Sequence, residues 1–280
     1  MTGAGWALTL LQTALFIAGA PLLAGWLKQV KCRLQNRRAP PLWQPYRNLA
    51  KLFGKEAVAA ETASPLFRTV PYVAFAMTTL AAATVPLITV YSPTTAIADV
   101  IVLVGLLSVV RFFMALGAMD IGTAFGGMGA SRDTAMSSLA EPAMLMAIFT
   151  LAMTAHSTDL AASIQQLLQA GMVLRPSFLF ALLGLLLVAV AETGRIPVDN
   201  PAAHLELTMI HEAMVLEYSG RHLALLEWTA QLKLMIFGVL IADVFFPWGM
   251  AVDDAPAALL AGTAAVTAKL ALLGVALVVV

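Results

Sequence analysis

An all-α, polytopic transmembrane bundle of about seven spans is the fold class this sequence predicts. Three observations carry it. Hydrophobic residues make up 60% of the chain and charged residues 11%, whereas soluble domains run to about a quarter charged. Mean hydropathy is +0.87. Apolar runs that approach or exceed the ~20 helical residues needed to cross a bilayer recur at 5–27, 70–91, 97–118, 136–156, 176–192, 222–246 and 255–280. The chain therefore reads as one integral membrane domain, 1–280, with a basic loop at 28–69 and an acidic loop-helix at 192–221.

Span one has no positive residue before it and Lys28, Lys31 and Arg33 after it, the reverse of a secretory signal, so it reads as a retained anchor. The loop that follows, RLQNRRAPPLWQPYRNLAKLFGKE, is broken by Pro40 and Pro41 and then turns helical. Leu42, Tyr46, Leu49 and Phe53 recur at helical spacing, and Arg47, Lys51 and Lys55 form a ladder on another face. This predicts an amphipathic interfacial helix, read either as a lipid-headgroup anchor or as a docking surface for a cytoplasmic partner. Span three ends in RFFMALGAMDIGTAFGGMGASRD, whose glycines permit tight turns and close helix approach. No strand precedes them, which argues against a dinucleotide site. Glu141 opens span four, where Pro142 suits a first helical turn and Glu141 a capping role. Glu227, Lys233 and Asp243 fall in span six and Lys269 in span seven. Lys269 lies deep enough to need a partner carboxylate or a water chain, while Asp243 is placed nearer the outer surface, within reach of water.

The positive residues set the sidedness. Lys28, Lys31, Arg33, Arg37, Arg38, Arg47, Lys51, Lys55 and Arg68 lie between spans one and two, Arg111 and Arg132 bracket the loop after span three, and Arg195 and Arg221 that after span five. Of the opposite loops only 156–175 carries a basic residue, Arg175. The positive-inside rule then places these basic loops in the cytoplasm and the N-terminus of this multi-pass chain outside. Zero net charge gives no reason to expect nucleic acid as a partner. Cys32 is the single cysteine, which excludes a disulfide framework or a cysteine-ligated cluster built by this chain alone.

One stretch departs from the hydrocarbon pattern. ETGRIPVDNPAAHLELTMIHEAMVLEYSG, residues 192–220, holds Glu192, Asp199, Glu206, Glu212 and Glu217. Lipid could not host that load, since one carboxylate at bilayer depth costs about 2.5–3.5 kcal/mol on insertion scales. Pro197 and Pro201 end the helix of span five, and helical spacing resumes from Ala202, with Glu206, Ile210 and Glu217 on one face and His204, Thr208 and His211 on another. Two readings stay open: a structural network with Arg195 and Arg221, or a proton path through carboxylates that shift one another's pKa. A metal site is poorly supported, because HEAMV lacks the second histidine of HExxH and His204 is one turn too far for a compact pair.

The same stretch resembles the signature of the membrane subunit shared by respiratory complex I, there subunit 1 or H, and the group 4 membrane-bound nickel-iron hydrogenases. It matches Glu-Thr-x-Arg-x-Pro-x-Asp, then Glu-Leu, then Glu-Tyr-Ser-Gly. RRAPPLWQPYRNLAKLFGKE is similar to the family's first loop, the span-three exit to its counterpart, and SLAEP to the start of the fourth span. The Glu206 to Glu217 interval and GASRD are similar to the hydrogenase and formate hydrogenlyase branch. Complex I proteins usually have acidic residues where Ala202 and His204 stand and Gly-Pro where Ala39-Pro40 stands, and the family generally has an eighth span.

The resemblance implies a non-catalytic anchor and ion-conducting subunit of a membrane-bound hydrogenase or formate hydrogenlyase-like complex, coupling electron transfer in a cytoplasmic hydrogenase-like module to proton or sodium movement. Its implied partners are a hydrogenase-like large subunit and an iron-sulfur small subunit, which would carry the nickel-iron centre and clusters, together with antiporter-like membrane subunits and the lipid bilayer. This chain would bind no cofactor itself. Glu141, Glu192, Asp199, Glu206 and Glu217 match the family's acidic positions, Glu212 matches the hydrogenase-like version, and Arg195 matches the loop arginine. The implied proton path runs through these six carboxylates and Lys233, and the implied partner surface through Arg37, Arg38, Arg47, Lys51 and Arg195. The alternative is the quinone-site subunit of a complex I-type dehydrogenase. A stand-alone transporter is a third class, without an inverted repeat in the sequence to support it.

Overall fold

The computed structural model describes residues 3–89, 99–170, 176–195, 198–199, 210–251 and 256–279. In chain order the helices are α1 (Gly3–Leu34), α2 (Gln44–Phe53), α3 (Pro65–Thr84), α4 (Val100–Asp120), α5 (Ala124–Ala155), α6 (Leu160–Ala170), α7 (Pro176–Glu192), α8 (His211–Val215), α9 (Gly220–Phe245) and α10 (Pro256–Val279). Six of them, α1, α3, α4, α5, α9 and α10, are long and apolar enough to cross a membrane, and α7 is a shorter apolar helix of 17 residues. That agrees with the expected bundle of about seven spans. Among the described residues there is no strand, only two isolated bridges, Thr89 with Ala251 and Asp99 with Asp159.

The bundle is organised around α9. From Leu234 to Phe245 every residue of α9 is buried, the pattern of a helix surrounded by protein on all sides. It packs on α1, α2, α3, α7 and α10, while α3, α4, α5 and α7 follow one another around the other side. The indole of Trp228 on α9 donates to the Ile17 carbonyl, and that of Trp26 on α1 donates to the Ala271 carbonyl, pinning α1 to both α9 and α10.

Helix ends explain where the sequence boundaries moved. α5 begins at Ala124, not at 136, because the Thr123 hydroxyl accepts from the Gly126 N–H and starts the helix early. The glycine-rich stretch is thus helical, and its helix-weakening cost of about 1 kcal/mol per glycine is offset by packing. A Cβ on Gly129 would lie 3.1 Å from both Ala213 and Met214, so α8 seats directly on the α5 backbone there. In consequence Glu141 and Pro142 lie inside α5, and the capping role expected of Glu141 at a helix start does not arise. Within the loop expected at 156–175, α6 forms from Leu160, after Asp159, whose carboxylate accepts from the Ala161 N–H; Leu160, Ala161 and Ile164 are buried.

α2 is amphipathic as expected: Leu49 is buried, while Arg47, Lys51 and Lys55 are exposed. Its apolar side rests on α1 and α9, with Phe53 edge-on to Trp228 at 6.1 Å and the Tyr46 hydroxyl donating to the Ala18 carbonyl. The helix is therefore fastened to the bundle itself, and its basic ladder is what remains free to meet lipid or a partner.

Candidate functional site

Four helices bring charges together at the middle of α9. Arg111 of α4 is buried, a guanidinium that hydrocarbon could not host unpaired. One of its terminal nitrogens donates to Glu192 at the end of α7, and the other donates to Glu141 of α5 at 2.5 Å. The second oxygen of Glu192 takes Lys233 Nζ of α9 at 2.6 Å. The result is a continuous chain, Glu141–Arg111–Glu192–Lys233, in which Glu192 bridges two cations. The Glu192 side chain is 5% exposed and that of Glu141 35%, so the chain runs from the bundle interior toward an accessible edge.

Beside it lies a cavity of about 90 Å³, lined by Arg111, Asp133, Glu192, Asp199, His211 and Lys233 with apolar neighbours such as Met114, Ile210 and Met214. A polar cavity of that size holds a few waters with several partners each. Asp199 is buried and structural in its contacts: its Oδ2 accepts from the N–H groups of Ile210 at 3.3 Å and His211 at 3.1 Å, which fixes the start of α8 over the cavity. Replacing Asp199 by Ala is expected to cost about 1–2 kcal/mol locally, as for a lost helix cap. Hydrogen exchange should show it as faster exchange at Ile210 to Met214 with α9 unchanged, and unaltered protection there would contradict the assignment. Burial, and after it the Lys233 ammonium, push the His211 imidazole below its ordinary 6.5, so His211 presents a neutral ring to the cavity.

The structure sorts the expected site residues. Glu141, Glu192 and Lys233 are joined by Arg111, and Asp199 stands across the cavity. Glu212 and Glu217 are exposed and do not line the cavity. The reason is local: His211 and Met214 turn inward on α8, which sends Glu212 outward, and α8 ends at Val215, so the expected helix does not reach Glu217. The chain leaves it to stack Tyr218 on Phe67, with ring centroids 3.9 Å apart. Glu206, with His204 and the proposed helical faces around it, lies outside the described residues. Arg37, Arg38, Arg47 and Lys51 are exposed. Arg195 is half-buried, and burial pushes its pKa down. Among the described residues no ion pair joins Arg195 or Arg221 to these carboxylates; the cations that do so are Arg111 and Lys233. Arg111 was legible as a loop-bracketing cation, yet its place within 97–118 was the signal that it needed a buried partner. Asp133 carried no such signal, because the glycine-rich stretch hid its helix. Nor do the described residues gather three or more His, Cys, Asp or Glu side chains where they could hold a metal ion.

The sequence profile of the NADH dehydrogenase family matches residues 6–280. The chain belongs to that family. Among its relatives, hydrogenase-4 component C of Escherichia coli is 35% identical over 251 residues, covering 90% of this chain and 78% of the relative. Formate hydrogenlyase subunit 4 of the same organism is 32% identical over 240 residues, covering 86% and 77%. The membrane-bound sulfane sulfur reductase, an archaeal respiratory membrane complex, contains a chain that shares the fold at a TM-score of 0.77 with 22% identity, over 95% of this chain and 88% of that one. The family resemblance read from the 192–220 motif and the basic loop is thereby borne out, on the hydrogenase side as well as the complex I side.

Proposed function

We propose that this chain is the membrane anchor and ion-conducting subunit of a membrane-bound hydrogenase or formate hydrogenlyase-like complex, passing protons, or sodium in their place, as a cytoplasmic module turns over. The observation that carries the reading is the Glu141–Arg111–Glu192–Lys233 chain beside a water-sized polar cavity. Glu192, held by two cations at once, is the group that fastens Arg111 and Lys233 beside the cavity, where the Lys233 ammonium and the waters the cavity admits are the groups that can pass protons. His211 supplies a neutral donor and acceptor at the cavity, and exposed Glu212 and Glu217 mark the surface where protons reach it, with Glu206 assigned to the same path by the family resemblance. The relatives' names place them in hydrogenase and formate hydrogenlyase complexes, which is why the partner is read as a hydrogenase-like large subunit with an iron-sulfur small subunit, carrying the nickel-iron centre and clusters, and antiporter-like subunits as membrane neighbours. The basic loop and the start of α9 then face the cytoplasm, with the N-terminus outside a prokaryotic inner membrane.

A quinone fits this cavity poorly. Sites for molecules of that size run to about 300–1,000 Å³, against about 90 Å³ here. The complex I-type alternative is the weaker for it.

Gentle solubilisation is expected to bring down a large soluble subunit and iron-sulfur proteins with the chain. Changing Arg37, Arg38, Arg47 and Lys51 together to Glu is expected to release them while the chain stays in the membrane, because all four side chains are exposed and none is needed to hold α2 in place. Recovery of the chain free of soluble partners, or full retention of those partners by the charge-reversed variant, would contradict the anchor reading.

A further inference from the structure

Ten residues beyond Lys233 on α9, roughly 15 Å along the helix, a second pair of charges is buried. Asp243 is 1% exposed, and Lys269 of α10 places Nζ 3.5 Å from its Oδ1. Asp243 thus lies inside the bundle and not at the water-facing surface expected from the sequence, and the partner that Lys269 required is this carboxylate. The contact is an ion pair without hydrogen-bond geometry: among the described residues neither oxygen of Asp243 nor the ammonium of Lys269 has a hydrogen-bond partner. On α1, Gln12 accepts from the N–H groups of Leu87 and Ile88 through Oε1, and its Nε2 is likewise buried without a partner among the described residues.

Such a pair is a poor device for stability. A buried ion pair offsets its desolvation only when further hydrogen bonds complete both ions, and apolar replacement of a pair is often neutral or favourable. Helix packing here does not need it, since Gly238 of α9 already admits Leu270 of α10, whose side chain would meet an added Cβ at 3.1 Å. What the pair does have is unused capacity for water: three ammonium donors and the lone pairs of two carboxylate oxygens. Lys269 is the more accessible member of the pair, its side chain 14% exposed against 1% for Asp243. The chain alongside is non-helical at 85–89 and 246–250, and Ala251 donates to the Ile88 carbonyl at 2.9 Å. These segments sit on α10 at Gly262 and at Ala265, one turn before Lys269 on the same face. Irregular backbone against membrane helices persists where protein buries it or water reaches it.

We propose that Asp243 and Lys269 form a second proton-transfer site, at the end of α9 remote from Glu192. The Lys269 ammonium gives its proton to the Asp243 carboxylate, leaving a neutral amine and a neutral acid; a hydronium proton arriving on the accessible side restores the ammonium, and the acid gives its proton to a water admitted between α9 and α10 during turnover, restoring the carboxylate and making a hydronium. This rests on the proton-path reading of the Glu192 chain, with α9 carrying a member of each site.

The test uses the intact complex in proteoliposomes with three variants: Asp243→Asn, Lys269→Met, and the apolar double Asp243→Leu with Lys269→Leu. The double variant is expected to assemble at wild-type yield, as an apolar replacement of a buried pair does, and to turn over, while proton translocation falls by at least about tenfold. Infrared difference spectra during turnover should show a protonated-carboxyl band that Asp243→Asn removes. Wild-type translocation by the double variant, absence of that band from the native complex, or failure of the double variant to assemble each overturns the proposal, the last by making the pair structural. A Glu192→Gln, Lys233→Met variant run alongside separates the two ideas: normal translocation there removes the underlying proton-path reading, whereas normal translocation only in the Asp243 and Lys269 variant removes this site alone.

Discussion

Glu192→Gln is expected to destabilise the chain by about 3–5 kcal/mol, the range for breaking a buried ion pair from one side. The carboxylate is the shared partner of Arg111 and Lys233, and its loss leaves Lys233 without its ion-pair partner and Arg111 with the partly exposed Glu141 as its remaining carboxylate, beside the Ser108 hydroxyl. Thermal unfolding of the solubilised complex reads this directly, and an unchanged midpoint would mean that the two cations find other partners. The companion variant Glu192→Gln with Lys233→Met removes one charge of each sign, and its stability should largely recover. Ion translocation should not recover in it, because the exchangeable group is still missing. Stability and coupling thus part company at one residue, which a purely structural network would not allow.

Gly220→Ala should be the most damaging substitution outside the charged cluster. Gly220 has φ 53°, and a Cβ there would lie 2.6 Å from the Glu56 carbonyl carbon and 2.8 Å from the Lys55 carbonyl oxygen, both backbone atoms. The backbone cannot retreat easily: Val58 donates to the Ser219 hydroxyl at 2.8 Å, and that hydroxyl donates to the Val58 carbonyl at 2.7 Å. The left-handed conformation alone costs a non-glycine residue about 1–2 kcal/mol, and the overlap adds to it. Gly122 supplies the control, having φ 74° and nothing within 4 Å of an added Cβ. Gly220→Ala is expected to lower stability by at least about 2 kcal/mol more than Gly122→Ala. Equal losses in the two variants would show that the start of α9 is not clamped against the basic loop.

These two positions also show what the sequence could and could not say. Membrane spans were legible because hydrocarbon length is a local property, and the 28–69 loop because a charge ladder four residues apart needs no tertiary knowledge. Glu192 stood out as a carboxylate closing an apolar run. Its partners did not: Arg111 lies 81 residues away, and only the packing of α5 against both α4 and α7 brings it there. The Asp243 and Lys269 pair was half legible, since the depth of Lys269 demanded a carboxylate while nothing local named which one. Helix α8 was overextended because its spacing is helical through Glu217, whereas stacking of Tyr218 on Phe67 and the left-handed turn at Gly220 end it first. Gly129 looked like a loop residue for the same kind of reason. Its packing partner, α8, is remote in sequence.

Proton uptake per electron transferred, measured in proteoliposomes holding the intact complex with the Glu192→Gln, Lys233→Met chain, is the most direct test of an ion path through this subunit. The account predicts assembled complex, retained electron transfer and a proton-to-electron ratio near zero. A wild-type ratio from that same preparation would contradict it and leave the buried charges as packing.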